Sequence, residues 1–397
     1  MQLKIKDFAQ IKYGKESKNL EYGSYPVYGS SGIIRHSNSF LYDKDSVLIP
    51  RKGSLDNIFF ANTPFWATDT MFYTIIDKEQ VLPIFFYYAM QQIDLTMLNS
   101  GTGVPSLTAE TLNDISLDIP KKDMQFKISS VLTKLDKKIS INNSIISKLG
   151  EMAKTIYEYW FLQFDFPNHE GKPYASSGGA MKYSEELGRE IPIDWEAIEI
   201  DKICKIYSGF AFKSAQYVKE GKYRLITIKN VQENGVLLEP ANFIDELPKK
   251  LPAYCLLEQG DILMSLTGNV GRVGLMFDDM CLLNQRVAKI CPSNEEMRGL
   301  IYFLFKSTFV KSKMENMAGG TSQENLSPIE TGKILIPYNK KIFRSFSKVA
   351  NQWVSMIVKK QRENQKLAQL RDWLLPMLMN GQVRVGNSIQ TRKENEN

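Results

Sequence analysis

Histidine, the commonest acid–base catalyst, is scarce in this chain. Its two copies are His36, in a turn-rich stretch, and His169, in a polar segment near the middle. Neither has a plausible catalytic partner close to it in sequence. The sequence therefore argues against nucleophilic or acid–base chemistry that depends on histidine.

Other catalytic motifs are incomplete. The stretch Thr267-Gly268-Asn269-Val270-Gly271 lacks the following lysine and hydroxyl residue of a Walker-type phosphate loop. Asn62-Thr63-Pro64-Phe65 is similar to the Asn-Pro-Pro-Phe/Tyr tetrapeptide of amino-methyltransferases, but Thr63 stands where a proline belongs, and no glycine-rich cofactor loop accompanies it. The carboxylates form no compact group with a lysine of the kind that nucleases use. We expect no catalytic residue, metal or cofactor.

What remains is a set of polar, glycine-containing loops whose side chains are of the types that read base edges and phosphates. Each loop alone fits an ordinary turn, but such loops recur in both halves of the chain, and glycine lets the backbone approach a phosphate. We therefore predict a DNA-binding surface. Its candidate residues in the first half are Ser30, Arg35, Arg51, Lys52, Ser54 and Thr102. Those in the second half are Lys213, Lys229, Asn230, Thr267, Asn269, Arg272, Asn284, Gln285, Arg286, Thr321 and Gln323.

The net charge of +6 is too small to establish nucleic-acid binding. The distribution of charge is more informative, because basic residues dominate two helical segments. Ten basic residues face two acidic ones from Lys340 to Arg384, and eight face four from Lys121 to Trp160. This excess fits either a solvated helix face or a field that attracts phosphates.

The composition is that of an ordinary soluble protein, with 43% hydrophobic and 24% charged residues. No apolar run is long enough to span a bilayer, and the first residues mix lysine and aspartate into the stretch that a signal peptide would keep apolar. We therefore expect a cytoplasmic protein without membrane contact. The four cysteines lack paired close spacing, so neither zinc nor disulfides are expected.

An internal repeat organises the chain. The pattern Ile5-x-x-Phe8-Ala9-x-Ile11-x-x-Gly14 returns 195 residues later as Ile200-x-x-Ile203-Cys204-x-Ile206-x-x-Gly209. Leu117-x-Ile119-Pro120 returns as Ile334-x-Ile336-Pro337, at an offset of 217. Each second pattern leads into a long helical stretch, which predicts the order domain, helix, domain, helix with approximate internal two-fold symmetry. The offset grows by 22, so the second domain is longer by that number of residues.

Two long segments carry apolar residues three and four positions apart, which is typical of a coiled-coil seam. The first seam is Leu132, Leu135, Ile139, Asn142, Ile146, Leu149, Ala153, Ile156 and Trp160, and the second is Trp353, Ile357, Lys360, Asn364, Leu367, Arg371, Leu374 and Leu378. Matching stripes predict that the helices pair antiparallel, hold the globular domains apart and act as a ruler. The alternative is that each helix packs only on its own domain. Asn142, a lone polar seam residue, can set the register or simply be tolerated at a partly solvated position.

The predicted fold class is mixed α/β, with short strands and turns in two globular domains that are separated by two long antiparallel coiled-coil helices. We place the domains at 1–120 and 191–338 and the helices at 121–165 and 339–383. A flexible linker is expected at 166–190, and a disordered tail at 384–397, because these segments are rich in polar residues.

The chain resembles the specificity subunit of type I restriction-modification systems over almost its whole length. The residues that carry the resemblance are Leu187-Gly188-Arg189-Glu190-Ile191-Pro192-Ile193-Asp194-Trp195, Gly260-Asp261-Ile262-Leu263, Gly268-Asn269-Val270-Gly271-Arg272, Arg51-Lys52-Gly53-Ser54, Leu374-Leu375-Pro376 and Asn380-Gly381. The resemblance implies two target-recognition domains that read a bipartite double-stranded DNA site. It also implies helices that set the gap and dock two methyltransferase subunits, with restriction subunits joining through the complex. Because the two domains differ, the DNA target should be asymmetric.

Two other functions stay open at this point. The chain could be a self-sufficient DNA methyltransferase or nuclease with diverged motifs, which would bind adenosylmethionine by itself. It could also be a bidentate scaffold with no DNA role, which would show no sequence-dependent DNA affinity. The missing catalytic groups argue against the first alternative, and the polar loops argue against the second.

Overall fold

The computed structural model describes residues 1–99, 101, 103–233, 235–319 and 325–386. The chain folds into two compact units, each described by itself below. Unit 1 comprises residues 1–138 together with those from 366 onward, and unit 2 comprises residues 139–365. Within the described ranges, no helix combines the length and the apolar character needed to cross a membrane.

Unit 1 is built on a four-stranded antiparallel sheet with small helices around it. Its elements are β1 (Gln2–Lys4), α1 (Ile5–Phe8), β2 (Ala9–Tyr13), β3 (Tyr25–Gly29), β4 (Gly32–Ser37), β5 (Ser46–Pro50), β6 (Phe59–Ala61), β7 (Trp66–Ala67), β8 (Met71–Ile76), α2 (Pro83–Met90), α3 (Ala109–Asn113), β9 (Ser116–Asp118) and the start of α4 (Lys122–Tyr157). The main sheet has the order β2-β8-β5-β6, and a smaller one has the order β4-β3-β7. Every residue of β5 is buried, because both faces of this central strand are covered.

Unit 2 has the same plan with additional strands. Its elements after α4 are β10 (Met181–Ser184), β11 (Arg189–Pro192), β12 (Glu196–Glu199), β13 (Cys204–Ser208), β14 (Tyr223–Ile226), β15 (Val231–Gln232), β16 (Gly235–Val236), β17 (Asn242–Ile244), β18 (Leu256–Leu257), β19 (Ile262–Ser265), β20 (Val273–Leu275), β21 (Cys281–Leu283), β22 (Val287–Pro292), α5 (Arg298–Lys306), α6 (Thr308–Ala318), α7 (Pro328–Gly332), β23 (Leu335–Tyr338) and α8 (Lys340–Met379). The main sheet has the order β13-β22-β19-β20, and the smaller one has the order β17-β14-β21-β18.

The predicted repeat is confirmed by the strand order within each unit. The strand pair β1–β9 of unit 1 has its counterpart in β12–β23 of unit 2, and the parallel pair β3–β7 in β14–β21. Ile5 and Ile200 are both fully buried. The N–H of Ile5 donates to the carbonyl of Ile115, and that of Ile200 to the carbonyl of Ile334, each at 3.0 Å. The sequence pattern therefore marks one structural position twice.

The extra length of the second repeat lies mainly between its two sheets. From Tyr25 at the start of β3 to Ser46 at the start of β5 the chain advances 21 residues, whereas from Tyr223 to Ile262 it advances 39. The difference of 18 residues includes the hairpin β15–β16, which has no counterpart between β3 and β4. This hairpin contacts strand β20 and helix α8, since a Cβ on Gly235 would lie 2.9 Å from Nε2 of Gln361.

The two long helices pair antiparallel within unit 2, as the seams predict. Asn142 of α4 donates to Asn364 of α8 at 2.9 Å, and further along α4 the ring of Tyr157 lies 5.9 Å from that of Phe346. Ala153 is fully buried in the same core. The alternative in which each helix packs only on its own domain is therefore wrong. A helix of 36 residues, such as α4, is about 54 Å long.

The predicted pairing residues are buried to different degrees. Leu132, Asn142 and Ile357 are buried. The half-buried members are Leu135, Ile139, Ile146, Leu149, Ile156, Trp353, Leu367 and Leu374. In unit 1, Leu132 shares a core with Leu375 and Leu378 of α8. The polar seam position Arg371 pairs with Asp136 at 2.8 Å, so the centre of the seam is held by polar contacts and its ends by apolar ones.

The segment 166–190, predicted as a flexible linker, carries regular structure. Residues 181–184 and 189–192 form the hairpin β10–β11. Phe166 is buried, with its ring stacked 5.4 Å from that of Trp195 and 4.8 Å from that of Tyr174. The serine and glycine residues of this segment therefore form turns on a packed core. Of the predicted disordered tail, residues 387–397 lie outside the described residues.

Candidate nucleic-acid interface

Three polar loops converge at one edge of unit 1. The side-chain amide of Asn57 donates to the carbonyl of Ser30 at 2.8 Å, which joins the β3–β4 turn to the loop after β5. The N–H of Gly53 donates to the carbonyl of Pro105 at 3.0 Å, which adds the third loop. Gly53 has φ +93°, and a Cβ there would lie 3.0 Å from Oγ of Ser30, so this close approach favours glycine. Lys52 and Ser54 flank it and are exposed.

Arg51 is held at this edge by two contacts. Its Nη1 donates to the carbonyl of Asp69 at 3.2 Å, and its guanidinium lies 5.2 Å from the centre of the exposed Tyr13 ring. A half-buried guanidinium that rests on an aromatic face keeps several N–H groups for a ligand. Arg35, in contrast, lies within strand β4 opposite Val27, and its Nη1 is aimed at the carbonyl of Leu20 at 3.4 Å. Its side chain serves the fold of this hairpin.

A matching set of loops converges in unit 2. The N–H of Phe210 donates to the carbonyl of Leu283, and that of Gly209 donates to the carbonyl of Val287, both at 2.9 Å. These bonds place the loop after β13 against the turn 284–286, where Gln285 and Arg286 are exposed. Asn284 is buried by contrast, and its side-chain amide lies 3.3 Å from the hydroxyl of Tyr217.

The glycine loop after β19 is closed by a buried serine. The hydroxyl of Ser265 donates to the carbonyl of Asn269 at 2.6 Å and accepts from the N–H of Arg272 at 3.0 Å. Gly268 has φ +71°, which lets the loop reverse. Thr267 is half-buried and Asn269 is exposed. The Arg272 guanidinium donates to Oε1 of Gln232 at 2.5 Å, so hairpin β15–β16 holds its side chain.

Backbone hydrogen bonds show that these loops are the same structure in both units. The N–H of Leu107 donates to the carbonyl of Arg51 at 2.9 Å in unit 1, and the N–H of Leu326 donates to the carbonyl of Leu266 at 2.8 Å in unit 2. In each unit, the loop that follows contains the positive-φ glycine described above. The candidate DNA surface is therefore part of the repeat.

A second equivalence identifies residues that sequence reasoning missed. The N–H of Arg51 donates to the carbonyl of Thr70 at 2.8 Å, and the N–H of Leu266 donates to the carbonyl of Arg286 at 3.0 Å. The turn that ends at Thr70 is thus the counterpart of the turn that ends at Arg286. Asp69 in this turn is exposed. The turns lie 216 residues apart, close to the second repeat offset, but they share no residue type, so only position could have revealed them.

Asn230, predicted to contact DNA, has a structural role instead. It is fully buried, and its side-chain amide donates to the carbonyls of Leu237 at 3.0 Å and Pro240 at 3.1 Å. Its Oδ1 accepts from the N–H of Thr227 at 2.9 Å. A side chain whose donors and acceptor are satisfied inside the protein has no group left for a base. This prediction is wrong for that reason.

The remaining candidates divide by exposure. Lys213 and Lys229 are exposed, the first before the short 3-10 helix Ser214–Gln216 and the second before hairpin β15–β16. Thr102, Thr321 and Gln323 lie outside the described residues. In the described part of the chain, no three histidine, cysteine or acidic side chains are grouped so that they could hold a metal ion.

The Gly260-Asp261-Ile262-Leu263 motif supports the loops from below. Lys289 forms a buried ion pair with Asp261 at 2.6 Å, and Asp261 also accepts from the N–H of Glu258 at 2.8 Å. Gly260 has φ +89°, and a Cβ on it would lie 2.6 Å from Nη1 of Arg298. The motif therefore anchors the start of β19, and the glycine loop follows at the end of that strand.

Known proteins share this arrangement. The family model for the type I restriction modification DNA specificity domain matches residues 1–151 and 192–365. The chain is 25% identical to the MjaIX specificity subunit of a Methanocaldococcus jannaschii type I restriction enzyme, over 94% of this chain and 86% of that relative. It is 24% identical to the MjaVIII specificity subunit of the same organism, over 97% and 93%.

A crystal structure of the type I restriction-modification S subunit from M. genitalium has the same fold, with a TM-score of 0.59, 17% identity and 95% of each chain covered. The mixed α/β fold class predicted from the sequence is thereby confirmed. Since the family model matches most of the chain, this protein belongs to the type I restriction-modification DNA specificity family, whose members compared here are named specificity subunits, and the identification made from the sequence is confirmed.

Proposed function

We propose that this chain reads DNA sequence for a type I restriction-modification complex, with each unit recognising one half of a bipartite target. The observation that carries the proposal is the loop cluster that recurs in both units at the same position of the fold. The limits predicted from the sequence, 1–120 and 191–338 for the target-recognition domains, belong to this proposal. A reader of chromosomal DNA acts in the cytoplasm.

The two half-sites should differ in sequence. At equivalent positions unit 1 presents Asp69 and Thr70, whereas unit 2 presents Gln285 and Arg286. Arginine pairs with two acceptors of guanine and glutamine with adenine, while aspartate accepts from cytosine and threonine is less selective. Different side chains on one scaffold therefore favour an asymmetric target.

The glycine loops fit the DNA backbone better than the bases. Lys52 and Ser54 in unit 1, and Asn269 in unit 2, are exposed beside glycines with positive φ. Turns of this kind direct backbone N–H groups outward and form concave sites for anions. We assign these loops to phosphates, which position the protein without carrying sequence information.

The methyltransferase subunits would dock on apolar positions that the long helices leave exposed. Met152 of α4 and Leu370 of α8, 218 residues apart, are 52% and 43% exposed, and Trp373 is 56% exposed. Large apolar side chains on otherwise basic helices mark protein contacts. Because Met152 and Leu370 occupy equivalent repeat positions, each marks one docking site, which supports two methyltransferase copies. Restriction subunits would join through the assembled complex, and the chain itself needs no cofactor.

The paired helices would set the gap between the half-sites. The support for this ruler is the antiparallel pairing, together with polar contacts such as Asn142–Asn364 that fix its register.

Mapping methylated adenines tests the proposal directly. A strain that carries the methyltransferase gene should acquire one bipartite, asymmetric methylation motif only when this chain is also expressed. The isolated chain should show neither methyl transfer nor DNA cleavage. Turnover by the pure chain, or methylation that is independent of it, would contradict the assignment.

A further inference from the structure

An open cleft of about 440 Å³ lies in unit 2, on the face of α6 that approaches the end of α4. Its walls include Leu162, Arg189, Phe309, Lys313 and Asn316. None of the candidate DNA-contacting residues lines it. The cleft thus needs an explanation separate from DNA reading.

The cleft contains two cations and no acidic wall residue. Nη2 of Arg189 donates to the carbonyl of Leu162 at 2.6 Å, and its guanidinium lies 4.7 Å from the centre of the Phe164 ring. These contacts hold the guanidinium in place, and burial lowers the pKa of Arg189. The Lys313 ammonium lies 5.8 Å from the centre of the Phe309 ring. Across the described residues, neither cation has a carboxylate within ion-pair distance.

The opposite side of α6 shows what a neutralised cation looks like in this unit. Lys311 pairs with Glu233 at 2.7 Å, and Lys306 reaches the carbonyl of the same residue at 3.5 Å. Two uncompensated cations at an apolar wall are costly to desolvate unless an anion joins them. The asymmetry between the two sides of one helix indicates that the cleft is built for an anionic group.

The position of the cleft indicates the source of that anion. Leu162 follows directly on the exposed α4 residues Met152 and Tyr159, so the cleft continues the helix surface that we assign to the methyltransferase. Its apolar walls suit the carbon stem of a side chain better than a DNA phosphate, and a planar guanidinium matches a carboxylate. We propose that this cleft binds an aspartate or glutamate side chain of the methyltransferase subunit. This inference rests on the proposed function and adds the chemistry of the contact.

The test compares Lys313→Glu with Lys202→Glu, which reverses another exposed lysine of unit 2 outside the cleft. The full chain is titrated calorimetrically with purified methyltransferase subunit, and separately with DNA that contains the methylation motif. Lys313→Glu should weaken methyltransferase binding about tenfold, or about 1.4 kcal/mol. The loss should shrink when the salt concentration rises from about 0.1 to about 0.5 M, because salt screens the ion pair. DNA affinity and the Lys202→Glu variant should be unaffected.

Each other outcome is informative. Unchanged methyltransferase affinity in Lys313→Glu, with unchanged unfolding temperature, would overturn the inference. A loss of DNA affinity alone would show that the cleft holds a phosphate instead. If the wild-type chain binds no methyltransferase at all, the proposed function itself fails, and a result of that kind cannot be confused with a selective effect of Lys313. A smaller loss in Lys313→Gln than in Lys313→Glu should confirm that charge is responsible.

Discussion

Asn142 donates a hydrogen bond of 2.9 Å to Asn364 inside the helix pair, and Asn364 in turn donates to Asn143 at 2.7 Å. Asn142 is fully buried, and its own Oδ1 has no partner among the described residues. A buried amide that is only half satisfied costs stability, whereas an apolar seam would not. Its benefit is that only one register brings the two amides together, so the pair selects the register of α4 against α8.

The register hypothesis predicts the behaviour of a double variant. Replacing both residues, Asn142→Leu with Asn364→Leu, should leave unfolding free energy equal or raise it by about 1 kcal/mol, because an apolar pair replaces a polar one. The same variant should methylate sites with more than one spacer length. Urea unfolding and methylation mapping measure the two effects, with Ile146→Leu as an apolar control. Strong destabilisation together with a single spacer would contradict the hypothesis.

Buried tyrosines predict a loss of stability at alkaline pH. Burial and a hydrogen bond of 2.5 Å to Asp136 raise the pKa of Tyr88 well above its usual value. The folded state therefore retains a proton that the unfolded chain releases near pH 10, so stability is complete below about pH 10 and falls as the pH rises further. Tyr88→Phe should reduce the slope of unfolding free energy against pH between about 10 and 12. Tyr183→Phe, at an exposed position, should leave the slope unchanged, and equal slopes in all three proteins would refute the argument.

Base and phosphate contacts should respond differently to substitution. Arg286→Ala should cost about 1–3 kcal/mol of DNA binding and relax the preference at one position of a single half-site. Lys52→Ala should weaken binding to all sequences alike and reduce the salt slope by about one. Binding titrations on DNA with single base changes, at several salt concentrations, distinguish the two. If Arg286→Ala weakens all sequences equally, this arginine contacts phosphate.

The ruler hypothesis is tested by lengthening a helix. Four residues inserted in α4 after Ser147 should move one recognition domain outward by about 6 Å. Since base pairs are about 3.4 Å apart, the spacer should lengthen by about one or two base pairs with both half-sites unchanged. The same insertion at the Gly178 turn serves as the control, and there the spacer should stay the same. A folded α4 variant that still requires the original spacer would show that the helices do not set it.

The docking positions predict stoichiometry. Met152→Asp and Leu370→Asp should each reduce the bound methyltransferase from two copies to one, and the double variant should bind none, because a carboxylate at a buried contact is costly. Analytical ultracentrifugation of the assembled complex measures this. Ile193→Asp, at an exposed apolar site outside the helices, is the control. Retention of two copies by the double variant would place the docking surface elsewhere.

Sequence by itself determined the repeat, the two paired helices and the family, because these depend on periodic or local signals. A three-four stripe needs a partner helix, and Ile5 and Ile200 are buried at the same structural position because the pattern around them is the same. Only the tertiary structure decided which polar loops meet. Gly53 reaches Pro105, and Leu266 reaches Arg286, through strand order and long-range hydrogen bonds that no local pattern encodes.

The same reason explains the errors. Asn230 has the composition of a surface loop, but its amide satisfies the carbonyls of a turn that packs inward. The turn ending at Thr70 carries no unusual residue, yet it lies where Arg286 lies in the other unit. The glycines and serines near residue 178 form turns because Phe166 and Trp195 pack together beneath them. Residue type sets what a side chain can bind, and tertiary packing decides whether its polar atoms reach the surface.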